Sequence, residues 1–284
     1  MSVTPSALFA ACEVHENTRI AAQIWRMRFS FPELAARILP GQFFMVRLAG
    51  TQDPLIGRAF AVYDTVATND GPWGVDFAYI VKGNLTTHLC ELHQGDRIEV
   101  WGPLGNGFPR STASHLVMVA GGIGYTPFLA VAKAHLQIAQ YGGVAYPGPR
   151  PKISFCYGAS HADGLAGVED FEALDIDVQL ATDDGSRGHH GQVTAPLHQL
   201  LDRRGEGIEI YCCGPEPMMQ AVADVARSRG VPCSVSLESP MACGIGICFS
   251  CVAPVVTPDG QDWDYARTCI DGPVFPAEAI AWDA

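Results

Sequence analysis

The cysteine pattern in the last fifth of the chain constrains its folding more than any other feature. Cys243, Cys248 and Cys251 lie within S-P-M-A-C-G-I-G-I-C-F-S-C, and Cys269 completes the spacing C-x4-C-x2-C-x17-C. A zinc site, an iron–sulfur cluster, a disulfide set, a redox thiol pair or unligated structural thiols would each account for this concentration.

The spacing favours a [2Fe–2S] cluster. Zinc sites usually pair two C-x2-C knuckles, and disulfides need an oxidising compartment, for which the sequence carries no signal. A thioredoxin-like pair would stand at a strand-to-helix turn. The x4, x2 spacing is that of plant-type [2Fe–2S] ligation. Gly244 and Gly246 fit this hypothesis, since a loop without Cβ atoms lets backbone N–H groups approach a cluster closely.

The bulk composition narrows the class of protein. A length of 284 residues suggests two or three domains. The 18 basic and 30 acidic residues give a net charge of −12, which disfavours a nucleic-acid-binding surface. The N-terminal stretch has no basic segment typical of a signal peptide. The longest uncharged run, Leu116 to Ala132, contains three glycines and a proline and is not expected to span a membrane. We therefore expect a soluble, cytoplasmic protein.

The first part of the chain, residues 1–110, is predicted to form an antiparallel β-barrel. Short strand-like runs occur at Phe43–Leu48, Phe77–Val81 and Arg97–Val100. Turn signals such as Pro40-Gly41 and Gln94-Gly95-Asp96 separate them. Regularly spaced short strands with such turns are typical of barrels.

Residues 111–236 are predicted to form a doubly wound α/β domain. The run His115–Ala120 is apolar after its first residue, as in a parallel strand buried on both faces. Strands and helices then alternate, with strands at Ile153–Tyr157, Val178–Thr182 and Ile208–Cys212 and helices at Pro127 to about Gln140 and Pro217–Arg229. Residues 237–284 hold the cysteines and few periodic segments. We therefore predict a small third domain that needs a cross-link, such as a bound metal or disulfides, to stay ordered.

Two strand ends of the α/β domain carry a candidate dinucleotide site. Gly121, Gly122 and Gly124, followed by Thr126, lie in V-M-V-A-G-G-I-G-Y-T-P, between the apolar strand and a helix. Such a loop can direct backbone N–H groups at a pyrophosphate, although a plain tight turn would look the same. The run Cys213-Gly214-Pro215 ends a later strand, and ligands of open α/β sheets lie at the carboxyl ends of strands.

The barrel segment carries a candidate phosphate site. Arg58 lies in L-I-G-R-A-F-A-V, and Lys82-Gly83-Asn84-Leu85-Thr86 forms a second turn. One interpretation is that Arg58 contacts phosphate while Phe60 packs on a ring, and the alternative is a solvated arginine. His189-His190 are expected to be exposed polar residues rather than metal ligands.

The order of these motifs resembles the ferredoxin–NADP reductase superfamily and, within it, the electron-transfer subunits of class 1B dihydroorotate dehydrogenase. The resemblance covers nearly the whole chain. It rests on V-A-G-G-I-G-Y-T-P, W-G-P-L-G-N-G-F, D-D-G-S-R-G, Y-C-C-G-P-E-P-M-M, M-A-C-G-I-G-I-C-F-S-C and C-I-D-G-P-V-F-P-A-E.

The resemblance implies FAD in the barrel, NAD(H) on the α/β domain and [2Fe–2S] in the C-terminal domain. By the same resemblance, Arg58 would contact the FAD pyrophosphate, and Gly83 and Thr86, beside Lys82, would cradle it. Two departures bear on the flavin. The family's R-P-x-S is here Arg58-Ala59-Phe60-Ala61, so Ala61 lacks the hydroxyl that would face the flavin ring. The family's G-x-G-T turn has Leu85 in place of its second glycine.

The resemblance also implies the function. The chain is expected to pass electrons between NAD(H) and a separate FMN-containing dihydroorotate dehydrogenase subunit, as a heterotetramer of two of each, in pyrimidine synthesis. The alternatives are a reductase subunit for another partner, such as a hydrogenase or sulfide/polysulfide system, and a zinc-stapled binding module. The apolar residues Ile245, Ile247 and Phe249 are either a partner contact surface or a cover for the cluster.

Overall fold

An antiparallel sheet of seven strands curls into the predicted N-terminal barrel. The structure, a computed structural model, describes residues 7–203 and 207–284. The elements are β1 (Leu8–Arg19), β2 (Ile24–Ser30), α1 (Pro32–Ala35), β3 (Phe43–Leu48), β4 (Arg58–Ala61), β5 (Asp64–Thr68), β6 (Gly71–Ile80), α2 (Asn84–Leu89) and β7 (Arg97–Leu104). The strand order in the sheet is β4-β3-β7-β1-β2-β6-β5.

Aromatic packing fills the barrel. The rings of Phe29, Phe44 and Phe77 lie 5.4 to 6.0 Å apart in edge-to-face arrangements, a geometry that aromatic pairs favour. Phe60 on edge strand β4 lies 4.8 Å from Phe77 on β6. This contact brings edge strand β4 close to β6, which lies next to the other edge strand, β5. The sheet therefore curls back on itself.

The α/β domain has the predicted parallel sheet. Its elements are β8 (His115–Gly121), α3 (Phe128–His135), β9 (Lys152–Ala159), α4 (Val168–Glu172), β10 (Asp177–Thr182), β11 (His189–His190), α5 (Thr194–Asp202), β12 (Ile208–Cys213), α6 (Glu216–Arg229) and β13 (Cys233–Ser236), with 3₁₀ turns at Gly122–Tyr125 and Ala162–Gly164. The strand order is β11-β10-β9-β8-β12-β13. Every residue of β8 is buried, because helices or the barrel cover both faces of the sheet.

Two local differences from the sequence prediction have simple causes. Helix α3 ends at His135 rather than near Gln140, because Gln137 has a left-handed φ of 57° that breaks the helix. His189 and His190 are exposed, as expected, but they form the short edge strand β11. No helix in residues 7–203 and 207–284 is long and apolar enough to cross a membrane.

The C-terminal segment joins both larger units. Strands β14 (Val252–Val256) and β15 (Trp263–Arg267) form a hairpin. The last strand, β16 (Val274–Pro276), pairs antiparallel with β13 and extends the parallel sheet. A 3₁₀ turn, Ala277–Ala279, follows it. On the barrel side, Asn106 donates its amide to the Val274 carbonyl at 2.8 Å and accepts the Val274 N–H at 2.9 Å.

We predict that Asn106→Ala weakens the junction between the barrel and the C-terminal segment. The change removes two hydrogen bonds to one backbone residue, at a cost of about 1 to 2 kcal/mol of unfolding free energy. Urea denaturation should show this loss, whereas Asn69→Ala in an exposed turn should leave the midpoint nearly unchanged. Equal midpoints for the two variants would contradict the role assigned to Asn106.

Candidate functional site

A cavity between the barrel and the other two units is lined by all seven residues that the sequence predicted to bind FAD, which are Arg58, Ala59, Phe60, Ala61, Lys82, Gly83 and Thr86. We call it the barrel cavity. Its lining includes Gly41, Phe43, Arg58, Ala59, Phe60, Ala61, Tyr79, Ile80, Lys82, Gly83, Leu85, Thr86, Ile123, Thr126, Cys213, Glu238, Ser239, Met241 and Pro273. Residues from every part of the chain therefore meet around one space.

Strand β4 forms one wall of the barrel cavity. Phe60 is half-buried and packs on Phe77 and Tyr79 while lining the cavity. Arg58 is exposed, and its Nη1 donates to the carbonyls of Ile56 and Gly57 at 3.1 and 3.0 Å. These two bonds use part of a five-donor guanidinium, so the remaining N–H groups can serve an anionic ligand.

The turn at Lys82–Thr86 is shaped by a hydroxyl. The Oγ1 of Thr86 accepts the N–H groups of Lys82 and Gly83, both at 3.0 Å, and donates to the Gly83 carbonyl at 3.1 Å. Because Thr86 already engages these two amides, its evident role is to form the turn that begins helix α2. Direct phosphate contact by Gly83 and Thr86 stays a prediction.

A second cavity, the nucleotide cavity, lies at the carboxyl ends of the parallel strands. Its lining includes Ile24, Ile80, Gly121, Gly122, Ile123, Gly158, Ala159, Ser160, His161, Asp183, Val193, Thr194, Pro215, Pro217 and Met218. The predicted residues Gly121, Gly122 and Pro215 thus line this space, where ligands of such sheets bind. Thr126 and Cys213 instead line the barrel cavity.

Gly124 and Gly214 line neither cavity, although the sequence proposed both for NAD. A Cβ on Gly124 would lie 2.4 Å from the Cys213 carbonyl oxygen. A Cβ on Gly214 would lie 2.9 Å from the Gly121 nitrogen. Both glycines therefore let the loop after β8 pack against the end of β12, which holds the two cavity walls in place.

The two cavities share Ile80 and Ile123, which the sequence prediction did not include. Ile80 ends β6 of the barrel and Ile123 lies in the glycine loop of the α/β domain, so no local motif could link them. Ser160, His161 and Asp183 were also missed. They follow β9 and β10 directly, and the strand-end rule applied to those strands could have found them.

Glu238 is another missed residue of the barrel cavity. Desolvation raises the pKa of its carboxyl, and the nearby Lys82 opposes that rise. The pKa of the Cys213 thiol is also raised, mainly by burial and to a smaller extent by the nearby negative charge of Glu238. Glu238 itself is exposed to solvent, whereas Cys213 is 4% exposed. The poorly hydrated part of the cavity is therefore the part around Cys213, and such surroundings strengthen the electrostatic interactions of a bound ligand.

The four predicted cluster cysteines are arranged as two pairs. The Sγ atoms of Cys251 and Cys269 lie 3.0 Å apart and both residues are buried. The Cys248 thiol is exposed and interacts with Cys243. The Sγ of Cys243 accepts the Ile245 N–H at 3.4 Å. All of these cysteines carry free thiols.

Cys248 and Cys269 differ in acidity. Hydrogen bonds, first from Ser250 and then from Cys243, lower the pKa of Cys248 to about 6. Burial, with Cys251 beside it, raises the pKa of Cys269 to about 12. Since the thiolate is the metal ligand, Cys248 is already suited to ligation at neutral pH, whereas Cys269 has to lose a proton when metal binds.

The two cysteine pairs fit the ligand set of a [2Fe–2S] cluster. A [2Fe–2S] cluster takes four cysteines, two at each iron. Cys243 with Cys248 and Cys251 with Cys269 would provide those two pairs.

The cysteine loop is built onto the barrel. Gly244 has a φ of 73°, and a Cβ there would lie 2.8 Å from the Met45 Cγ and 2.9 Å from the Leu104 Cδ1. The indole N–H of Trp101 donates to the Cys243 carbonyl at 2.8 Å. The absence of a Cβ at Gly244 therefore lets the loop pack closely on barrel side chains. This packing is a separate role from the approach to a cluster that the sequence suggested.

Three residues connect the cysteines to the barrel cavity. Phe43, Ala59 and Met241 belong to one apolar cluster with Cys251 and Cys269, and all three also line the barrel cavity. One apolar cluster therefore contains both lining residues of the barrel cavity and two of the predicted cluster cysteines.

Comparisons with known proteins agree with this three-part site. Three family models match: an oxidoreductase FAD-binding domain over residues 11–108, an oxidoreductase NAD-binding domain over 118–224, and the iron-sulfur cluster binding domain of dihydroorotate dehydrogenase B over 238–281. These matches bear out the predicted set of cofactors.

Among full-length relatives, the chain is similar to the electron transfer subunit of dihydroorotate dehydrogenase B (NAD(+)) from Caldanaerobacter subterraneus. The two are 33% identical over 267 residues, which cover 94% of this chain and 96% of the relative. The corresponding subunit of Desulforamulus reducens is 34% identical, over 93% of this chain and 95% of the relative.

Solved structures share the fold. A chain of the NADH-dependent reduced ferredoxin–NADP oxidoreductase, described in work on flavin-based electron bifurcation, superposes with a TM-score of 0.78 at 29% identity, over 96% of this chain and 91% of that one. Phthalate dioxygenase reductase, 18% identical, has a TM-score of 0.58 over 94% and 97% of the two chains. The predicted ferredoxin–NADP reductase-like fold is confirmed.

We predict that Cys269→Ser removes or alters the iron–sulfur cluster, because it takes away one predicted ligand of the buried pair. Iron and acid-labile sulfide analysis should fall well below two of each per chain, or the EPR signal of the reduced protein should shift. Cys156→Ser, equally buried but inside the α/β sheet, is the matched control. Loss of the cluster in Cys156→Ser with an intact cluster in Cys269→Ser would refute the ligand assignment.

We predict that Arg58→Ala weakens FAD retention. The substitution would remove the charge-assisted phosphate contact predicted for Arg58, and such contacts typically contribute about 1.5 to 3 kcal/mol, or roughly 10- to 100-fold in Kd. Fluorescence titration of the apoprotein with FAD measures this change, and Arg150→Ala, exposed and outside the cavity lining, should bind FAD normally. An unchanged Kd in Arg58→Ala would exclude the phosphate contact.

Proposed function

This chain belongs to the family of dihydroorotate dehydrogenase B electron transfer subunits, and from that membership we propose that it carries electrons between NAD(H) and a dihydroorotate dehydrogenase catalytic subunit. The process served would be de novo pyrimidine synthesis. The carriers would be FAD and a [2Fe–2S] cluster, bound as the sequence motifs and the cavities indicate.

The observation that supports this function best is the order of the three binding regions. The nucleotide cavity meets the barrel cavity at Ile80 and Ile123. Phe43 and Ala59, which also line the barrel cavity, belong to one apolar cluster with Cys251 and Cys269. A flavin in the barrel cavity would stand between a nicotinamide and a cluster, as two-electron to one-electron transfer requires.

The protein's part is to bind, orient and exclude water. FAD, when bound, supplies the chemistry that links hydride transfer to single-electron transfer. Phe60 presents an aromatic face to the cavity, and Arg58 presents a cation for phosphate. Cys213 and Thr126 line the cavity at the end of the α/β sheet, where they would fix the position of a nicotinamide relative to the flavin ring.

We further propose the finer features that the family resemblance suggests. The catalytic subunit would carry FMN and oxidise dihydroorotate, and two copies of each subunit would form a heterotetramer in the cytoplasm. The net charge of −12 supports a soluble assembly without a nucleic-acid partner.

The contact with the catalytic subunit would use an exposed apolar patch around the cysteine loop. Ile245, Ile247 and Phe249 are 43%, 72% and 63% exposed, so they leave much of their surface uncovered. Arg267 lies over the Phe249 ring at 5.3 Å and donates to the Gly246 carbonyl at 3.2 Å, which holds the loop in place. Apolar patches of this kind, next to a redox site, are typical of interaction surfaces.

The division of labour provides the direct test. The holoprotein alone should oxidise NADH with ferricyanide as acceptor and should not turn over dihydroorotate. Adding an FMN-containing dihydroorotate dehydrogenase subunit should restore NAD-coupled turnover. Dihydroorotate oxidation by this chain alone would overturn the assignment, and failure to couple with the dihydroorotate dehydrogenase encoded in the same genome would favour a different redox partner.

Within that test, Ile247→Glu should abolish coupling to the catalytic subunit while leaving NADH–ferricyanide activity intact. A buried carboxylate in an apolar contact is strongly unfavourable. Ile138→Glu is the matched control, because Ile138 is 55% exposed but lies beyond helix α3 of the α/β domain. Coupling that survives in Ile247→Glu would exclude the patch as the interface.

A further inference from the structure

Two consecutive residues of the barrel, Tyr63 and Asp64, bind the α/β domain by side-chain contacts. The hydroxyl of Tyr63 donates to Asp170 Oδ2 at 2.5 Å. Asp64 accepts the Tyr141 hydroxyl at 2.7 Å and forms an ion pair with Lys133. These contacts join segments 69 to 107 residues apart in sequence.

The same chain segment connects this contact to the barrel cavity. Arg58–Ala61 forms one cavity wall, and Tyr63 and Asp64 follow after one buried valine, Val62. A shift at Tyr63 or Asp64 would therefore be transmitted to the strand that lines the flavin site.

On the α/β side, the contact reaches the nucleotide loop from two directions. Tyr125, the last residue of the 3₁₀ turn Gly122–Tyr125, meets the Tyr63 ring edge-on with centroids 5.8 Å apart. Lys133 lies on α3, the helix that follows that turn. The loop that carries Gly121, Gly122 and Ile123 is thus held against the barrel both at its end and through its helix.

Burial keeps these donors in the state the contact needs. Tyr63 and Tyr141 are each 1% exposed. Desolvation is the main reason why the pKa of both phenols is raised. Both hydroxyls remain protonated donors at any physiological pH. Gly167 permits the approach, since a Cβ there would lie 2.6 Å from the Tyr63 hydroxyl.

We propose that Tyr63 and Asp64 are positioning residues for hydride transfer: by clamping the nucleotide loop and α3 onto the barrel, they set the distance between a nicotinamide in the nucleotide cavity and a flavin in the barrel cavity. The two cavities meet at Ile80 and Ile123, which belong to the two units that this clamp joins. The proposal rests on the electron-transfer function proposed above.

The test compares Asp64→Asn with Glu99→Gln in the holoprotein. Glu99 pairs with Arg47 inside the barrel, and its side chain is 19% exposed against 15% for Asp64, so the two variants lose similar ion pairs. Only the first pair joins two domains. Stopped-flow reduction of FAD by NADH should be slowed about tenfold or more in Asp64→Asn at saturating NADH, since a misplacement near 1 Å can cost about 10²-fold. Glu99→Gln should match the wild-type rate.

A second variant and a second readout separate positioning from folding. Tyr63→Phe keeps the ring contact with Tyr125 but loses the bond to Asp170, and it should also lower the limiting rate. Flavin reduction by dithionite and the cluster EPR signal should stay unchanged in both variants. Hydrogen exchange at the amides of residues 121–126 should be faster in Asp64→Asn and Tyr63→Phe than in Glu99→Gln.

The outcomes distinguish this proposal from the function on which it rests. If NADH does not reduce the wild-type protein, the proposed function is wrong. The hydrogen-exchange comparison would still show whether Tyr63 and Asp64 hold the nucleotide loop against the barrel. If Asp64→Asn and Tyr63→Phe both show the same limiting rate and the same hydrogen exchange as Glu99→Gln, the positioning role of Tyr63 and Asp64 is wrong. Should Asp64→Asn lose FAD, the milder Tyr63→Phe decides.

Discussion

The packing of the cysteine loop on strands β3 and β7 is the contact on which the redox arrangement depends. At Gly244 the backbone approaches Met45 and Leu104 so closely that a Cβ would overlap both. The loop therefore brings Cys251 and Cys269 into one apolar cluster with Phe43, which also lines the barrel cavity. Because electron transfer falls steeply with distance, a looser contact at this point would separate the two carriers.

The barrel and the α/β domain meet in a different way. Apolar side chains from both, including Ile24, Ala78 and Phe128, share one core. Directional polar contacts at Tyr63 and Asp64 accompany that core. Apolar burial supplies most of the attraction but is not directional, whereas hydrogen bonds and ion pairs require one geometry. A protein that has to hold two bound rings in register needs both kinds of contact.

The C-terminal segment explains how a short, cysteine-rich stretch stays ordered. Strand β16 completes the parallel sheet beside β13, and Asn106 ties Val274 to the barrel. The segment therefore has neighbours on both sides before any metal binds. Metal ligation would add to this order by joining Cys269 to residues about twenty positions earlier in the chain.

Local sequence patterns determined much of this protein: three of the barrel strands, the buried strand β8 and its glycine loop, and the spacing of the four cysteines. Each depends on residues close together in sequence, where periodicity, turn chemistry and ligand spacing act. The tertiary structure alone decided which cysteines pair, that Gly124 and Gly214 pack rather than line a cavity, and that Ile80, Ile123 and Glu238 face the ligand spaces. It also decided that Tyr63 and Asp64 join two domains. These features arise when distant segments meet, and no local pattern records a contact whose partner lies a hundred residues away.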